Sequence, residues 1–561
     1  MERLSLTGKR WMMSDCAPRT HSLAETLLQR RGIDALGAGE ILEQFGHDAR
    51  HFRDFEKAAT RIRDAIASGE TIGVFGDYDC DGITSTSLLV RFLRRRGVQP
   101  VVRLPHRLNE GYGLTSSRIE EFRKAGVTLL ITVDTGVTAL EPITQAKDAG
   151  IDAIILDHHC PAEILPPAHA ILHPELTTPP LDSSPCGAGI AWSLVSALEE
   201  MDGKTDWEDR GTDIALAAIG TIADIVELRG GNRTLTHSGL LALAQLREGP
   251  LALLCMQAGL QGPYSSRDIA FRLAPRINAA GRMADPHIAL HALLGDASAL
   301  LELDTLNRDR QDVVAAHLED LLPRGEMETA GFLCFVHEDY SPGICGLLAG
   351  KLSEAYGKPS LVAALVGDVC TASLRSVPGY DMTAGLARCA ELLLNFGGHA
   401  MAAGCTFPYD AFQALQKHLN DDVSEYVDPS NLIPTLTVEC ALTIEHVTAN
   451  LCDSLNVLEP FGQGNPEPRF VIESVCMENV RCVGKGGKHL QATVRGRKLI
   501  GFNLGHLKEV ADQPLDLLCK IGMDAWQGRK SPQLFLDDIR IAEKTQRPKV
   551  KTQGNLEKLY F

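Results

Sequence analysis

The sequence predicts an α/β protein whose first large domain is built on a parallel sheet. Short apolar runs alternate with amphipathic stretches of helical length between about residues 55 and 156. Three of the apolar runs end in Asp or His residues, at 77–81, 134 and 157–159. Alternating strands and helices form βαβ units, and open parallel sheets bind ligands at the carboxyl ends of their strands. One edge of the predicted sheet therefore carries a polar site.

The elements of this first domain follow one another with short connections. A helix over 55–68 places Ala58, Ile62 and Ala65 on one face, as a period of 3.6 residues requires. The apolar runs predict buried strands, because they are short and end in turn residues. We expect strands at 71–76, 100–104, 127–133 and 151–156, helices at 84–96, 115–125 and 137–149, and further helical segments from 188 to 258.

Beyond residue 260 the pattern changes three times. Apolar residues at helical spacing over 286–320 predict a helical connector. Strands at 331–336 and 360–365, with helices at 344–356 and 382–395, predict a second, smaller α/β domain. Short strands with Gly-rich turns from about 430 predict a small β-barrel. The predicted divisions are an N-terminal segment (1–50), the first α/β domain (51–260), the connector (261–325), the second α/β domain (326–430), the barrel (431–543) and a basic, flexible tail (544–561).

Composition describes a globular protein of several domains. A chain of 561 residues exceeds the roughly 250–300 residues at which single cores stop growing. No apolar stretch approaches the ~18–20 residues of a membrane span, so we expect no membrane association. The 15 cysteines are scattered singly, without a Cys-x-x-Cys pair, which favours a reducing cytoplasm over a disulfide framework.

The net charge of −17 argues against a simple nucleic-acid binder, which usually carries a basic surface. Charge is segregated along this chain, however, and the span 481–530 is locally basic. A basic groove with aromatic side chains is typical of single-strand binding. Phe461 and Phe502 are possible stacking residues, although packing in the barrel core is the favoured interpretation for both. The candidates for a nucleic-acid track are Lys485, Lys488, Arg495, Arg497 and Trp526.

The acidic and His residues at the strand ends predict a metal site. A single Asp at such a position is often only a helix N-cap, but the pattern recurs in four segments. Oxygen and imidazole ligands suit Mn²⁺ or Mg²⁺, and a pair of divalent cations needs a bridging carboxylate, for which Asp134 is the candidate. The predicted ligands are Asp77, Asp79, Asp134, His158 and Asp224.

Three neighbouring residues are given supporting or alternative roles. Asp81 either orients its loop or supports a ligand from behind, and Asp157 is placed with it as a supporting residue. His159 either ligates a cation or faces the substrate as a hydrogen-bond donor or acid, since His158 cannot point the same way. The predicted catalytic residues are Asp79, Asp134, His158 and His159.

Several arginines and glycines predict a phosphate-binding site opposite the metals. Arg276 and Arg282 lie in a Gly/Asn/Ala-rich stretch interpreted as a loop, where the alternative is a structural ion pair with Asp285. Guanidinium forks and backbone N–H groups both suit a phosphate. The candidates are Arg107, Arg276, Asn278, Arg282, Ser373, Arg375, Gly397, Gly398 and His399.

These motifs resemble those of the RecJ branch of the DHH phosphoesterase superfamily. The resemblance rests on the sequences 77–82, 134–136, 157–159 and 220–224, and on the segments 105–113, 274–282, 373–376, 397–399 and 458–468. It covers about residues 50–540 in order. Ala372 stands where the family usually has Gly, Tyr340 where Trp is common, and Thr135 where Asn is frequent.

The resemblance implies a fold and an activity. The fold would be a DHH domain, a long connecting helix, a DHHA1 domain and a C-terminal OB-fold barrel. The activity would be a single-stranded-DNA-specific exonuclease working 5′ to 3′ with two divalent cations, Mn²⁺ or Mg²⁺, in repair and recombination. Arg107, Arg282, Ser373 and Arg375 would hold the 5′-terminal phosphate or the nearby backbone.

Two other functions are compatible with parts of the sequence. A small-substrate DHH/DHHA1 phosphoesterase would act on short oligonucleotides or nucleotide bisphosphates, but it would have no need of the barrel. A non-catalytic replication scaffold would be free to lose acidic ligands, and none is lost here. We expect a cytoplasmic monomer that acts on single-stranded DNA with a 5′ end, with a helicase and a single-strand-binding protein as possible partners.

Overall fold

The computed structural model describes residues 3–14, 22–36, 46–107, 113–203, 207–322, 330–428, 433–526 and 529–543. The predicted tail, 544–561, and residues 108–112 of one motif lie outside this description, as do the side chains of 525 to 529. Near the N-terminus, a strand β1 (Arg10–Met13) precedes a helix α1 (Leu23–Arg31). Leu27 and Leu28 of α1 pack into the core of the C-terminal domain rather than the first domain.

The first domain contains a five-stranded sheet in which every neighbouring pair is parallel. The strand order β3-β2-β4-β5-β6 reverses direction at β2, so β2 and β4 flank a topological switch point. Apolar residues of both sheet faces are buried against helices. The elements are α2 (Phe55–Ser68), β2 (Ile72–Gly76), α3 (Cys80–Arg95), β3 (Val101–Arg103), α4 (Ser116–Lys124), β4 (Leu129–Val133), α5 (Leu140–Asp148), β5 (Asp152–Leu156) and β6 (Ala170–Leu172).

Helices complete the first domain and lead into the connector. The stretch 274–282, interpreted above as a loop, is helical, since Pro275 occupies the first turn and three alanines favour continuation. The helices are α6 (Gly187–Met201), α7 (Trp207–Ala223), α8 (Gly230–Gln245), α9 (Pro250–Gln257), α10 (Ser266–Asp268), α11 (Ala274–Met283), α12 (His287–Leu293) and the long connector helix α13 (Ala297–Leu321), with a π-helical turn at Ile269–Leu273.

The second α/β domain has a mixed sheet with the order β10-β11-β9-β8-β7. The predicted helix over 382–395 is wrong beyond Ala387. Leu392 and Leu393, whose apolar character suggested more helix, pack on the core from a 3₁₀ turn, and the chain then adds an edge strand. The elements are β7 (Leu333–His337), α14 (Pro342–Tyr356), β8 (Ser360–Val366), β9 (Val369–Arg375), α15 (Met382–Ala387), β10 (Asn395–His399), β11 (Ala402–Pro408) and α16 (Phe412–Tyr426).

The C-terminal domain is a seven-stranded, mainly antiparallel sheet around one apolar cluster, with the order β13-β14-β18-β19-β17-β16-β15. β1 pairs in parallel with the neighbouring strand β12, so the N-terminal segment is part of this domain. The elements are β12 (Thr435–Val438), β13 (Cys440–Leu442), α17 (Ala449–Leu455), β14 (Phe470–Val475), β15 (Glu478–Val483), β16 (His489–Val494), β17 (Arg497–Gly501), β18 (Leu515–Trp526) and β19 (Arg529–Ile541).

Two chain-wide expectations can be compared with the described residues. Within them no single helix is long and apolar enough to cross a membrane, although α8 and α9, bent by 86°, have sufficient length and composition as a pair. No disulfide bond joins any two of the 14 cysteines in the described segments.

Candidate metal centre

Three neighbouring strands deliver polar side chains to one edge of the parallel sheet. Asp77 directly follows β2, Asp134 follows β4, and His158 lies two residues after β5. Because these strands are adjacent and parallel, their carboxyl ends meet at the switch point. Asp224 comes from a different source, the C-terminal end of α7, where its backbone N–H donates to Gly220 O at 2.9 Å.

The predicted ligands converge on one place. His158 Nε2 lies 3.1 Å from Asp134 Oδ1, 3.7 Å from Asp224 Oδ2 and 3.9 Å from Asp81 Oδ2. Ligand atoms within 4.8 Å of one another form three overlapping groups, in which Asp134 and His158 each occur twice. The groups are Asp77/Asp79/Asp134, Asp134/His158/His159 and Asp81/His158/Asp224. Shared members of this kind suit a pair of cations with a common ligand.

The buried carboxylates of the cluster repel one another, and a bound positive charge would stabilise them. Burial and the neighbouring carboxylates raise the pKa of Asp77 and of Asp134 well above the ordinary range. Burial, with the charges of Asp81 and Asp79, raises the pKa of Asp224 to about 9. Asp77 Oδ1 is buried without a hydrogen-bond partner among the described residues. An oxygen-rich set of buried carboxylates with one unsatisfied oxygen fits hard divalent cations such as Mn²⁺ or Mg²⁺.

Asp79 and Asp81 also shape the backbone around the cluster. Asp79 caps α3, accepting from Gly82 N–H at 3.0 Å, so the N-cap alternative holds for it alongside its position in the ligand cluster. Asp81 accepts from the N–H groups of Gly187 and Ala188 at 2.7 and 2.9 Å. Asp81 therefore fixes the N-terminus of α6 against the site, a contact outside its own loop that the sequence did not predict.

Asp157 fixes the ring of His159 by hydrogen bonding. Its Oδ1 lies 2.8 Å from His159 Nδ1 and also accepts from the backbone N–H groups of His158 and His159. Burial lowers the pKa of His159, but the hydrogen bond and charge of Asp157 outweigh it, so the pKa is raised overall. For His158 burial dominates and lowers the pKa, which favours the neutral imidazole that a metal requires.

Arginines from three parts of the chain face this acidic cluster. Arg107 lies with its guanidinium carbon 5.2 Å from the centre of the Tyr78 ring. Arg282 donates to Gly343 O at 3.1 Å, and α11 lies close enough to the loop of Tyr78 that a Cβ on Gly281 would be 2.7 Å from Tyr78 O. Burial and the charges of Arg107, Arg375 and Arg310 lower the pKa of Arg282 to about 9. Within the described residues, none of the arginines 107, 282 and 375 pairs with a carboxylate.

Ser373 and Arg375 lie on the same face of β9, because residues two apart in a strand share a face. A Cβ on Gly346 of α14 would lie 3.0 Å from Arg375 Nη2 and 3.5 Å from Ser373 Cβ. Ala372, the departure from the family pattern, is buried in the hydrophobic cluster on the other face. The methyl group of Ala372 therefore does not enter the predicted phosphate pocket.

The Gly397–His399 segment lies in a strand beside this pair. It occupies the exposed edge strand β10, where Gly397 pairs across Gly404 with Ser373 and His399 pairs across Ala402 with Arg375. Strands are about 4.8 Å apart, so these residues lie roughly 10 Å from their counterparts on β9. The structure thus brings them to the same end of the sheet.

Two residues that were predicted to bind phosphate have other partners in the structure. Arg276 forms an ion pair with Asp304 of the connector helix at 3.3 Å, and not with Asp285 as the alternative above supposed. Asn278 Oδ1 accepts from Cys80 N–H at 2.9 Å, which supports the acidic loop from behind. Asp285 instead pairs with His287.

The proposed nucleic-acid track on the C-terminal domain is only partly assembled. Lys485 and Lys488 lie before β16 and Arg495 and Arg497 after it, so the two pairs occupy opposite ends of that strand. Arg495 forms an ion pair with Glu445, in which Nη1 lies 2.9 Å from Oε1. The side chain of Trp526 lies outside the described part of the chain.

The environment of one aromatic residue differs from the prediction, and one arginine near the site was not predicted. Phe502 is 55% exposed, so core packing is wrong for it, and it lies against His489 with ring centres 5.3 Å apart. Phe461 packs against the domain core as expected. Arg310, on the connector helix, contributes to the positive potential at Arg282. No motif marks Arg310, because its role depends on how α13 packs against α11.

Comparisons with known families match three segments of the chain. The DHH family N-terminal domain matches residues 71–219, the DHHA1 domain residues 329–425, and the RecJ OB domain residues 438–538. These matches confirm the predicted fold class: a parallel-sheet DHH domain, a helical connector, a DHHA1 domain and a C-terminal OB domain.

Relatives described as single-stranded-DNA-specific exonuclease RecJ align over most of the chain. The one from Bacillus subtilis is 32% identical, covering 93% of this chain and 68% of the relative. The one from Escherichia coli is also 32% identical, covering 86% of this chain and 90% of the relative. The crystal structure of RecJ in complex with Mn²⁺ from Thermus thermophilus superposes with a TM-score of 0.82 at 29% identity, covering 95% of this chain and 80% of that chain. A Mg²⁺ complex of the same protein gives a TM-score of 0.75.

Proposed function

Because the chain belongs to the RecJ family of single-stranded-DNA-specific exonucleases, we propose that it hydrolyses single-stranded DNA from the 5′ end and releases 5′-mononucleotides in repair and recombination. One observation carries this proposal. A buried cluster of carboxylates with raised pKa values faces a group of arginines that pair with no carboxylate among the described residues. Cations on one side and a phosphate on the other complete the charge balance.

Asp77, Asp79 and Asp134 are the residues we assign to one divalent cation, and Asp134, His158 and Asp224 to the second. When bound, Mn²⁺ or Mg²⁺ would neutralise these carboxylates and stabilise charge on the attacking and leaving oxygens of a phosphodiester. Asp81 and Asp157 keep the ligands in place through backbone N–H groups of α6 and of the His158–His159 segment. The RecJ relative from Thermus thermophilus, crystallised with Mn²⁺ and with Mg²⁺, supports this assignment.

His159 is the residue we assign to the scissile phosphate. Asp157 binds its Nδ1 at 2.8 Å and raises the pKa of the ring, so the ring keeps its second proton to a higher pH than a free imidazole does. When the ring is protonated, Nε2 is the nitrogen that presents a proton to a phosphate oxygen or to the leaving oxygen. The positive ring also stabilises charge that develops on the phosphate.

The arginine group explains why cleavage begins at a 5′ end. A terminal phosphate monoester carries close to two negative charges, more than an internal diester, and so gains most from Arg107, Arg282 and Arg375. With that phosphate fixed between the DHHA1 sheet and α11, the next diester along the strand lies over the carboxylate cluster. Each cut then releases one nucleotide.

The end-recognition step is tested with single strands that carry a 5′-phosphate or a 5′-hydroxyl. The wild type is expected to favour the phosphate by at least about tenfold in kcat/KM, since charge-assisted hydrogen bonds contribute about 1.5–3 kcal/mol each. Arg375→Met should remove most of this preference. Arg123→Met changes an exposed arginine paired with Glu120 and serves as the control. Equal rates on both ends in the wild type would contradict the proposal.

The two alternatives have less support. A small-substrate phosphoesterase would not need the segment that matches the RecJ OB domain. A non-catalytic scaffold would not need the full set of ligands, all of which are present and converge. A helicase or single-strand-binding protein as partner, a monomeric state and a cytoplasmic location stay predictions from the resemblance and the composition.

A further inference from the structure

Arg233 of α8 is a buried guanidinium that joins three parts of the chain. It is 2% exposed, and its donors reach only main-chain carbonyls among the described residues. Nη1 donates to Asp34 O of the N-terminal segment at 2.7 Å. Nη2 donates to Val457 O at 2.8 Å and to Glu459 O at 3.0 Å. Thus one side chain of the DHH domain binds two separate segments that pack with the OB domain.

The positions of these carbonyls explain why the positively charged guanidinium of Arg233 binds there. Val457 belongs to the 3₁₀ turn Asn456–Leu458, which continues α17, and Glu459 follows it. The C-terminal end of a helix carries unsatisfied carbonyls and partial negative charge, which an arginine can neutralise. Within the part of the chain that the structure describes, no carboxylate pairs with Arg233. The carboxylate of Asp34 attracts the guanidinium without pairing with it, and Asp34 itself belongs to the junction.

The same junction extends to the metal centre. The loop after Glu459 lies on the segment that follows Asp224: Leu228 N–H donates to Gln463 O at 2.8 Å and Arg229 Nε to Gly464 O at 3.0 Å. A Cβ on Gly462 would be 2.7 Å from Leu228 Cδ1, so the two segments are in close contact. The OB domain therefore contacts the first domain at Leu228 and Arg229, a few residues after the predicted metal ligand Asp224.

We propose that Arg233 is a positioning residue that holds the OB domain at a fixed place relative to the metal centre, so that hydrolysis of long single strands depends on it and hydrolysis of very short ones does not. This inference rests on the proposed function. A long strand bridges two binding sites, and its effective concentration at the second site depends on how rigidly the two are joined. A short oligonucleotide binds only at the metal centre, so its hydrolysis does not depend on the junction.

The test compares 5′-phosphorylated oligo-dT of about 30 nucleotides, longer than the roughly 4–16 nucleotides that one OB fold covers, with a trinucleotide, both with Mn²⁺. Arg233→Met, which keeps packing volume but removes the donors, is expected to lower kcat/KM on the long strand about tenfold. The value for the trinucleotide should not change. Arg233→Lys should restore part of the loss, and Arg123→Met should behave as the wild type on both substrates.

Gly462→Val provides a second variant that leaves Arg233 in place. Its branched side chain forces the 459–467 loop away from Leu228, so the same selective loss on long strands is expected, and it carries the test if Arg233→Met does not fold. Equal losses on both substrates, or no loss on either, would overturn the inference while leaving the proposed function standing. A wild type that cleaves neither strand would overturn both.

Discussion

Asp134 combines three unfavourable features in one residue. Its backbone is in the left-handed region with a φ of 60°, its side chain is buried, and nearby carboxylates raise its pKa well above the ordinary range. Each feature costs free energy in a protein without cations, and such features cluster at functional sites. A cation bound by the carboxylate of Asp134 would offset the electrostatic part of that cost.

Replacing Asp134 by Asn should therefore separate stability from activity. Because the ionised carboxylate destabilises the cation-free fold, D134N is expected to have a melting temperature no lower than that of the wild type without metal. Addition of Mn²⁺ at about 100 times its Kd should stabilise the wild type by about 2.7 kcal/mol but leave D134N nearly unchanged. Loss of an outer-shell partner alone costs about 10–100-fold, so nuclease activity should fall by more than about 100-fold.

Thermal melting with and without Mn²⁺, and activity on single-stranded DNA, check this expectation. A Mn²⁺-induced shift of the same size in D134N and the wild type would show that Asp134 is not a shared ligand.

The residues next to strand ends could be assigned to the site from sequence, because each closely follows a predicted strand. Alternation of strands and helices implies that Asp77, Asp134 and His158 lie at the same edge of a parallel sheet. That β2 and β4 are neighbours, which brings these residues together, is set by the strand order. Arg310 and the exposed Phe502 could not be assigned in this way. Their environment is set by packing between elements distant in sequence, which carries no periodic signal.

At the scale of elements, glycines let three helices approach the site. A Cβ on Gly187 of α6 would lie 2.6 Å from Asp134 Cβ, and one on Gly281 of α11 would lie 2.7 Å from Tyr78 O. At the start of α14, a Cβ on Gly343 would meet Arg282 O at 2.0 Å. These contacts bring the acidic cluster and the arginine group into one site.

Gly187→Ala should disturb the site without removing a ligand. The added methyl group must displace Asp134 or α6, and overpacking of this kind costs about 1–3 kcal/mol. We expect lower thermal stability and at least about tenfold lower activity, since Gly187 N–H also binds Asp81 at 2.7 Å.

Gly211→Ala is the matched control. Gly211 lies inside α7, and a Cβ at this position would have nothing within 4 Å, so the change should stabilise the helix by about 0.5–1 kcal/mol and leave activity intact. Comparable activity of the Gly187 and Gly211 variants would contradict the close-packing argument.

The DHHA1 domain contains a carboxylate whose contribution to stability depends on pH. Burial raises the pKa of Asp422, but its hydrogen bonds to Arg388 and Tyr380 outweigh burial and lower it overall. A depressed pKa stabilises the fold above the unfolded value of about 3.9, and this contribution is lost as the pH falls through the folded value.

Asp422→Asn is therefore expected to lower the melting temperature most at neutral pH, by an amount corresponding to about 1–2 kcal/mol. The difference from the wild type should shrink as the pH falls below about 4. Melting curves recorded across this range check the prediction, which a constant difference would refute.

Element prediction from sequence was best where local and tertiary preferences agree. The helix Phe55–Ser68 has its predicted bounds because its apolar face and its C-terminal Gly69 in the left-handed region give the same boundary. The helix predicted over 382–395 failed because the edge of the DHHA1 sheet recruits 395–399 as a strand. Pairing with β11 is a long-range contact that periodicity does not report.

At the scale of the whole molecule, the site lies between domains. The DHH domain supplies the carboxylates, while the DHHA1 sheet supplies Ser373 and Arg375 and the connector supplies Arg310. The order of domains along the chain was predictable from the changes in pattern. Packing of the N-terminal segment against the OB domain was not, because β1 and β12 are far apart in the sequence and their pairing leaves no local pattern.

The proposed function is that of a metal-dependent exonuclease with 5′ to 3′ polarity on single strands. The most direct measurement uses metal-stripped protein, long single-stranded DNA labelled at the 5′ or the 3′ end, restored Mn²⁺, and a duplex control. We predict immediate release of a labelled mononucleotide from the 5′ end, gradual shortening of the 3′-labelled strand and an intact duplex, with no cleavage by Asp134→Ala. Early release of the 3′ label, degradation of the duplex, or cleavage that persists without added metal would contradict this function.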